Sequence, residues 1–230
     1  MERLGQRLSR QKRRLLTMEG PARIDFSLYL ITDRQGLAAK GTLIDAVAAA
    51  LEGGVRAVQL REKDLSAAEL YSLARQLRAL TREFGAKLLI NDRIDLTLAV
   101  EADGVHLGTR SLPTAEARRL LGPAPLIGVS THRPDEIAEA ASQGADFVTF
   151  GPVYLTPSKE PYGEPVGIDA LRSACCVTSL PVFALGGIQP HRISEVLDSG
   201  AHGIALISAI LSRPDPARAA REILARLKNI

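Results

Sequence analysis

From Ser27 onward the chain repeats one pattern: a short apolar run, a turn, then a longer segment whose apolar residues recur at helical spacing. Glycine, proline or a capping residue punctuates each unit, so the boundaries can be read as well as the elements. The pattern predicts strands over 27–33, 58–63, 87–92, 104–108, 126–131, 147–154, 182–185 and 203–208. Helices are predicted over 43–52, 66–84, 94–102, 113–122, 134–142, 168–177, 192–198 and 216–227. Ser66 stands as an N-cap with Glu69 three residues on, the capping-box arrangement, and Gly85 follows as the stop. Strands that alternate with helices through short connections imply a parallel sheet, and eight such units fit closure into a (β/α)8 barrel, an α/β fold. An open doubly wound sheet is the runner-up, but it usually carries a glycine-rich turn after its first strand, where this chain reads Thr32-Asp33-Arg34. No shift of composition marks a linker, so 27–230 reads as one domain behind a basic extension, 1–26.

Composition narrows the function classes. Hydrophobic residues make up 46% and aromatics only 4%, with no Trp, which predicts a core filled by Val, Ile, Leu and Ala. The net charge is +3, yet residues 1–14 alone hold six basic side chains against Glu2. That local excess of +5 leaves the remainder at −2, which is no footprint for nucleic acid, and none is expected as a partner. The opening reads as a poorly ordered solvated tail, with Met18 open as an alternative start. No apolar run approaches the roughly 18–20 residues that cross a bilayer. Cys175 and Cys176 are adjacent, unsuited to a disulfide, and read as small helix-packing residues, which places the chain in reducing cytoplasm. A homo-oligomer is left open.

Candidate chemistry gathers at the C-terminal ends of the predicted strands, where barrels of this kind build their sites. In 58–63 the alternation of a strand puts Gln59, Arg61 and Lys63 on one side, and Val58, Leu60 and Glu62 on the other. Two cations at the end of an apolar strand either reach water or meet an anion such as a phosphate. Later strand ends add Asn91 and Asp92, His106 with Thr109, Arg110 and Ser111, then Ser130 and His132, then Thr156, Ser158 and Lys159. Gly186-Gly187 and Ile207-Ser208 end the last two strands, where glycines let backbone N–H groups approach a phosphate. The mouth therefore reads as two anion sites, a cationic one at Arg61, Lys63 and Lys159 and a glycine-lined one. Asp92 suits a Mg²⁺ ligand or an ion-pair partner. His106 lies within an apolar strand and reads as structural or catalytic, whereas His132, beyond a strand end, suits proton transfer.

These segments together resemble the family of thiamine-phosphate synthase and thiazole tautomerase. The resemblance rests on Val58-Gln59-Leu60-Arg61-Glu62-Lys63, Ile90-Asn91-Asp92-Arg93, Gly104-Val105-His106-Leu107-Gly108, Ile127-Gly128-Val129-Ser130-Thr131-His132, Gly151-Pro152-Val153-Tyr154, Gly186-Gly187-Ile188 and Ile207-Ser208-Ala209-Ile210, from about Leu28 to the end. It implies condensation of an aminopyrimidine diphosphate with a thiazole phosphate. Arg61, Lys63, Asn91 and Lys159 would hold the diphosphate with Mg²⁺, while Gln59, His106 and Ser130 lie near the pyrimidine. Thr156, Ser158, Gly186, Gly187, Ile207 and Ser208 would hold the thiazole phosphate. The chain departs from the family at Ser111, where synthases commonly carry a second acidic metal ligand; Arg110 is then expected to meet the diphosphate directly. The tautomerase, with His132 moving a proton, and a non-catalytic thiazole or thiamin phosphate sensor are the alternatives.

Overall fold

The computed structural model of the chain describes residues 24–37, 41–156 and 164–228. The basic opening and Met18 lie outside the described residues. In chain order the elements are β1 (Leu28–Ile31), α1 (Leu43–Glu52), β2 (Ala57–Leu60), α2 (Ala67–Glu83), β3 (Lys87–Asn91), α3 (Ile94–Ala99), β4 (Gly104–Leu107), α4 (Thr114–Leu121) and β5 (Leu126–Thr131). There follow α5 (Pro134–Ser142), β6 (Phe147–Phe150), α6 (Gly167–Cys176), β7 (Val182–Leu185), α7 (Ile193–Asp198), β8 (Gly203–Leu206), α8 (Ser208–Leu211) and α9 (Pro216–Lys228). All eight strands run parallel and close into a barrel in sequence order, with β8 returning to β1 through Leu30 opposite Leu206. The predicted (β/α)8 barrel is what the chain forms.

Local chemistry accounts for the helix ends. Ser66 Oγ accepts from the Glu69 N–H and the Glu69 carboxylate accepts from the Ser66 N–H at 2.9 Å, so the expected capping box forms. Thr42 and Asp45 form a second one at the start of α1, which the sequence reading did not single out.

The core has two parts of different composition. Between strands and helices it is mostly aliphatic, as expected. Inside the barrel, the inward positions of the strands bring Tyr29, Phe147 and Phe183 together above Phe26, with ring centroids 5.2–6.2 Å apart. The few aromatics are thus concentrated where large inward side chains must fill the barrel, a correction to the purely aliphatic core read from composition. Ile24 and Phe26, at the end of the predicted extension, are buried in this interior.

The lower end of the barrel is tied by a device used twice. Asp103, ahead of β4, accepts from the Leu88 N–H at 2.8 Å and from Arg78 of α2 at 2.6 Å. Asp146, ahead of β6, accepts from the Ile127 N–H at 2.7 Å and from Arg118 of α4 at 2.6 Å. Charge-assisted bonds of this sort fix the strand starts and leave the opposite end of the barrel to chemistry. Cys175 packs on the core with its thiol pushed up to about 11 by burial, while Cys176, also expected to pack, is exposed.

Candidate active site

The upper end of the barrel is floored by a buried polar chain. Gln59 Nε2 donates to the Tyr29 hydroxyl at 3.1 Å, which faces His106 Nδ1 at 3.5 Å. His106 Nε2 lies 3.0 Å from Ser130 Oγ and 3.5 Å from Thr149 Oγ1. All these side chains come from inward positions of neighbouring strands, and Asn91 sits directly beside His106 in the β3–β4 register. Burial, and then the positive charge of Arg61, push His106 down to about 3, so its imidazole is neutral at ordinary pH. Burial also raises the Tyr29 hydroxyl, which keeps it protonated. With Gln59 donating into the Tyr29 oxygen, the Tyr29 O–H points toward Nδ1, and Nε2–H is left to donate to Ser130. Gly128 makes room for this ring: a Cβ there would stand 2.6 Å from His106 Nδ1 and 2.4 Å from Phe147. Tyr29 and Thr149 were not singled out in the sequence; their signal was a hydroxyl at an inward strand position.

Around this floor stand the ends of β2, β3 and β4. The predicted strand over 58–63 stops at Leu60, because Arg61 N–H leaves the ladder to donate to Thr32 Oγ1 at 2.9 Å. Glu62 turns away and is buried, accepting from the Arg34 N–H at 3.2 Å; burial raises its pKa, with the Thr32 hydroxyl bond opposing. Arg34 in turn pairs with Asp64. Arg61 is left half-buried at the mouth and Lys63 exposed. Asp92 has φ +66 and is spanned by an Arg93 N–H to Asn91 C=O bond of 2.8 Å, the geometry of a γ-turn, while its own N–H donates to the His106 carbonyl at 2.9 Å. A non-glycine residue held in that region is strained, and such strain clusters at functional positions. The adjacent Arg93 is engaged by Asp95 through two bonds of 2.6 and 2.8 Å, with the Asp92 charge acting on it more weakly. Ser111 Oγ accepts from the Gly108 N–H at 2.8 Å, and Arg110 is exposed on the same turn.

The other half of the mouth is shaped by backbone. His132 Nδ1 donates to the Gly151 carbonyl and the His132 backbone N–H donates to Glu136 at 2.6 Å, so the ring is anchored through its Nδ1 edge. The predicted strand over 147–154 stops at Phe150, followed by a cis Gly151–Pro152 bond. The segment nevertheless stays beside β7: Val153 N–H donates to Leu185 at 2.8 Å and Tyr154 N–H to Gly186 at 3.1 Å. That contact dictates the glycine pair. Gly186 and Gly187 adopt φ +97 and +64, and a Cβ would meet Pro152 at 2.6 Å and the Leu155 carbonyl at 2.7 Å. The last predicted strand also ends early, at Leu206, and Ser208 opens the short α8. Thr156 is half-buried on the same side, and Ser158 and Lys159 lie outside the described residues. Among the described residues no three His, Cys, Asp or Glu gather as a metal cluster, and no helix is long and apolar enough to cross a membrane.

Comparison with known proteins agrees with this geometry. A family model described as thiamine monophosphate synthase matches residues 28–210. A Geobacter sulfurreducens protein named putative thiamine-phosphate synthase is 59% identical over 90% of this chain and 96% of its own. The thiamine-phosphate synthase of Desulfitobacterium hafniense strain Y51 is 41% identical over 90% and 99%. The solved structure of thiamine phosphate pyrophosphorylase from Pyrococcus furiosus superposes with a TM-score of 0.81 at 37% identity, covering 90% of this chain and 97% of that one.

Proposed function

We infer the reaction from one premise: the chain belongs to the thiamine monophosphate synthase family. It is a thiamine-phosphate synthase, a transferase that joins an aminopyrimidine methyl diphosphate to a thiazole phosphate. The bond from the methylene carbon to the diphosphate oxygen breaks, and its electron pair leaves with the diphosphate. The pyrimidine-stabilised cation that remains is captured by the lone pair of the thiazole nitrogen, giving the thiazolium of thiamine phosphate. The single observation that carries the assignment of roles is the buried, neutral chain from Gln59 to Ser130 beside Arg61.

Arg61, Lys63 and Asn91 bind the diphosphate, together with Lys159, and neutralise charge on the leaving group, where preorganised donors act most strongly. Gln59, His106 and Ser130 orient the pyrimidine on a polar floor backed by the aromatic interior of the barrel. A neutral His106 matters there, because an imidazolium would repel the developing cation. Thr156, Ser158, Gly186, Gly187, Ile207 and Ser208 hold the thiazole phosphate, so that the nitrogen meets the carbon without a diffusional encounter. The donor set fits a divalent cation, and Mg²⁺ in particular, since Mg²⁺ takes few protein carboxylates and keeps its waters. Asp92 would hold it, Ser111 would orient a water on it, and when bound it adds charge neutralisation at the diphosphate. Arg110 supports the same anion from the exposed turn.

The test is diphosphate release measured with both substrates across a Mg²⁺ titration, on the wild type and on Ser111→Asp. Release matched one to one by thiamine phosphate is expected, and Ser111→Asp lowers the Mg²⁺ needed for half the maximal rate several-fold, on the order of one added carboxylate ligand. A tautomerase has one observation in its favour, the His132 ring held at the mouth through Nδ1, with Nε2 as the nitrogen to move a proton. Proton exchange on a carboxythiazole phosphate without any diphosphate release would establish that reading instead.

A further inference from the structure

Behind the glycine turn lies a cluster that none of the roles above uses. The Arg192 guanidinium lies over the Tyr154 ring, its carbon 4.1 Å from the centroid, and Nη1 donates to the Gly187 carbonyl at 3.0 Å. The Tyr154 hydroxyl donates to Glu195 at 2.7 Å, and the Tyr154 N–H donates to the Gly186 carbonyl at 3.1 Å. Two successive carbonyls are therefore held around one residue, that of Gly186 by the Tyr154 backbone N–H and that of Gly187 by the guanidinium stacked on the Tyr154 ring. In a planar trans peptide the N–H points opposite to the C=O. The amides of Gly187 and Ile188 are consequently turned away from the cluster, and adjacent N–H groups facing one way form an anion-binding concavity.

We propose that Arg192, stacked on Tyr154, is a positioning residue that sets the Gly187 and Ile188 amides for the phosphate of the thiazole substrate. The proposal rests on the synthase reading and names a residue to which that reading gives no part. Tyr154 also precedes Leu155 and Thr156, so the same clamp fixes the root of the segment carrying Thr156. A guanidinium suits the task because one planar group both stacks and donates; an ammonium donates without stacking.

Steady-state kinetics with each substrate varied in turn test it. Arg192→Ala is expected to raise KM for the thiazole phosphate about tenfold, the order of one lost hydrogen bond from a charged donor, while KM for the pyrimidine diphosphate stays within about twofold. Arg192→Lys recovers only part of that loss. Glu195→Gln, on an exposed side chain, moves the same KM in the same direction by about twofold and keeps the readout intact if Arg192→Ala folds poorly. Equal changes in both KM values, or a change in neither, would overturn the proposal. If the wild type releases no diphosphate, the synthase reading is what fails. Calorimetric titration with thiazole phosphate then decides the clamp separately, with affinity expected to fall about tenfold in Arg192→Ala and an unchanged affinity counting against it.

Discussion

The mouth of the barrel is built in two ways on its two sides. From β2 to β5 it presents side chains: Gln59, Asn91, His106 and Ser130 at the strands' inward positions, with Tyr29 joining Gln59 to His106 and His106 bonded to Ser130, and Arg61 just past the end of β2. From β6 to β8 it presents backbone, shaped by glycines and by the segment after β6 that runs alongside β7. The difference follows the chemistry expected of each side. A leaving diphosphate and a flat heterocycle call for charge and directed donors, whereas a monophosphate that does not react needs only a ring of amides. Substitutions should therefore fail differently: on the first side through rate with the fold intact, on the second through fold and binding together.

Arg61→Ala gives the largest effect. Arg61 is half-buried and makes its backbone bond to Thr32 whatever its side chain, so the fold tolerates the loss. Removal of a preorganised cation from a leaving group is expected to lower kcat/KM by about 10²–10³-fold. Measured alongside the thermal midpoint, it sharpens the comparison if the rate collapses at unchanged stability. It breaks the comparison if rate and stability fall together.

Gly187→Ala tests the other side. At φ +64 with the Leu155 carbonyl 2.7 Å from the added carbon, the substitution forces both backbone strain and displacement of the segment after β6. A loss of about 2–4 kcal/mol in stability is expected from strain and overpacking combined, with KM for the thiazole phosphate rising in the same variant. Denaturant melting and kinetics on one preparation check both. A stable variant with unchanged KM would show that the glycine serves neither purpose.

The two sides were not equally legible in the sequence. On the side-chain half, polar residues at the ends of apolar strands were the signal, and the register sets Asn91 beside His106 and carries Ser130 on the next strand; the alternation read for 58–63 ends at Leu60, before Arg61 and Lys63. What that signal lacked were the partners. Nothing in Leu28-Tyr29-Leu30 announces that the Tyr29 hydroxyl links Gln59 to His106. The backbone half was read from its glycines, and the structure adds a second reason for them. The sequence suggested room for a phosphate to approach the backbone; in the fold, Pro152 and Tyr154 also press against Gly186 and Gly187 and leave no space for a Cβ. Strand ends were read too long at β2, β6 and β8 because apolar residues continue past the last ladder bond. A contact such as Arg192 on Tyr154 joins residues distant in sequence through a loop, and periodicity carries no signal for it.

The smallest effect concerns the charge state on which the side-chain half depends. His106 is held near 3 in the fold, against about 6.5 for an unperturbed imidazole in the unfolded chain. Between those values the unfolded chain binds a proton that the folded protein does not. The contribution of a neutral His106 is therefore fully present above pH 6.5 and is lost as pH falls toward 3, at about 1.4 kcal/mol per pH unit. His106→Asn, which keeps a donor for Ser130 but cannot titrate, should be less stable than wild type near neutrality and lose less on acidification. Denaturant melts of both proteins at pH 6 and pH 5 read the difference, and every other group cancels between them. Parallel pH dependences would mean that His106 takes up its proton in the fold as readily as in the unfolded chain, so that below about pH 6.5 a cation would stand under the pyrimidine and undo the division between a neutral floor and a charged rim.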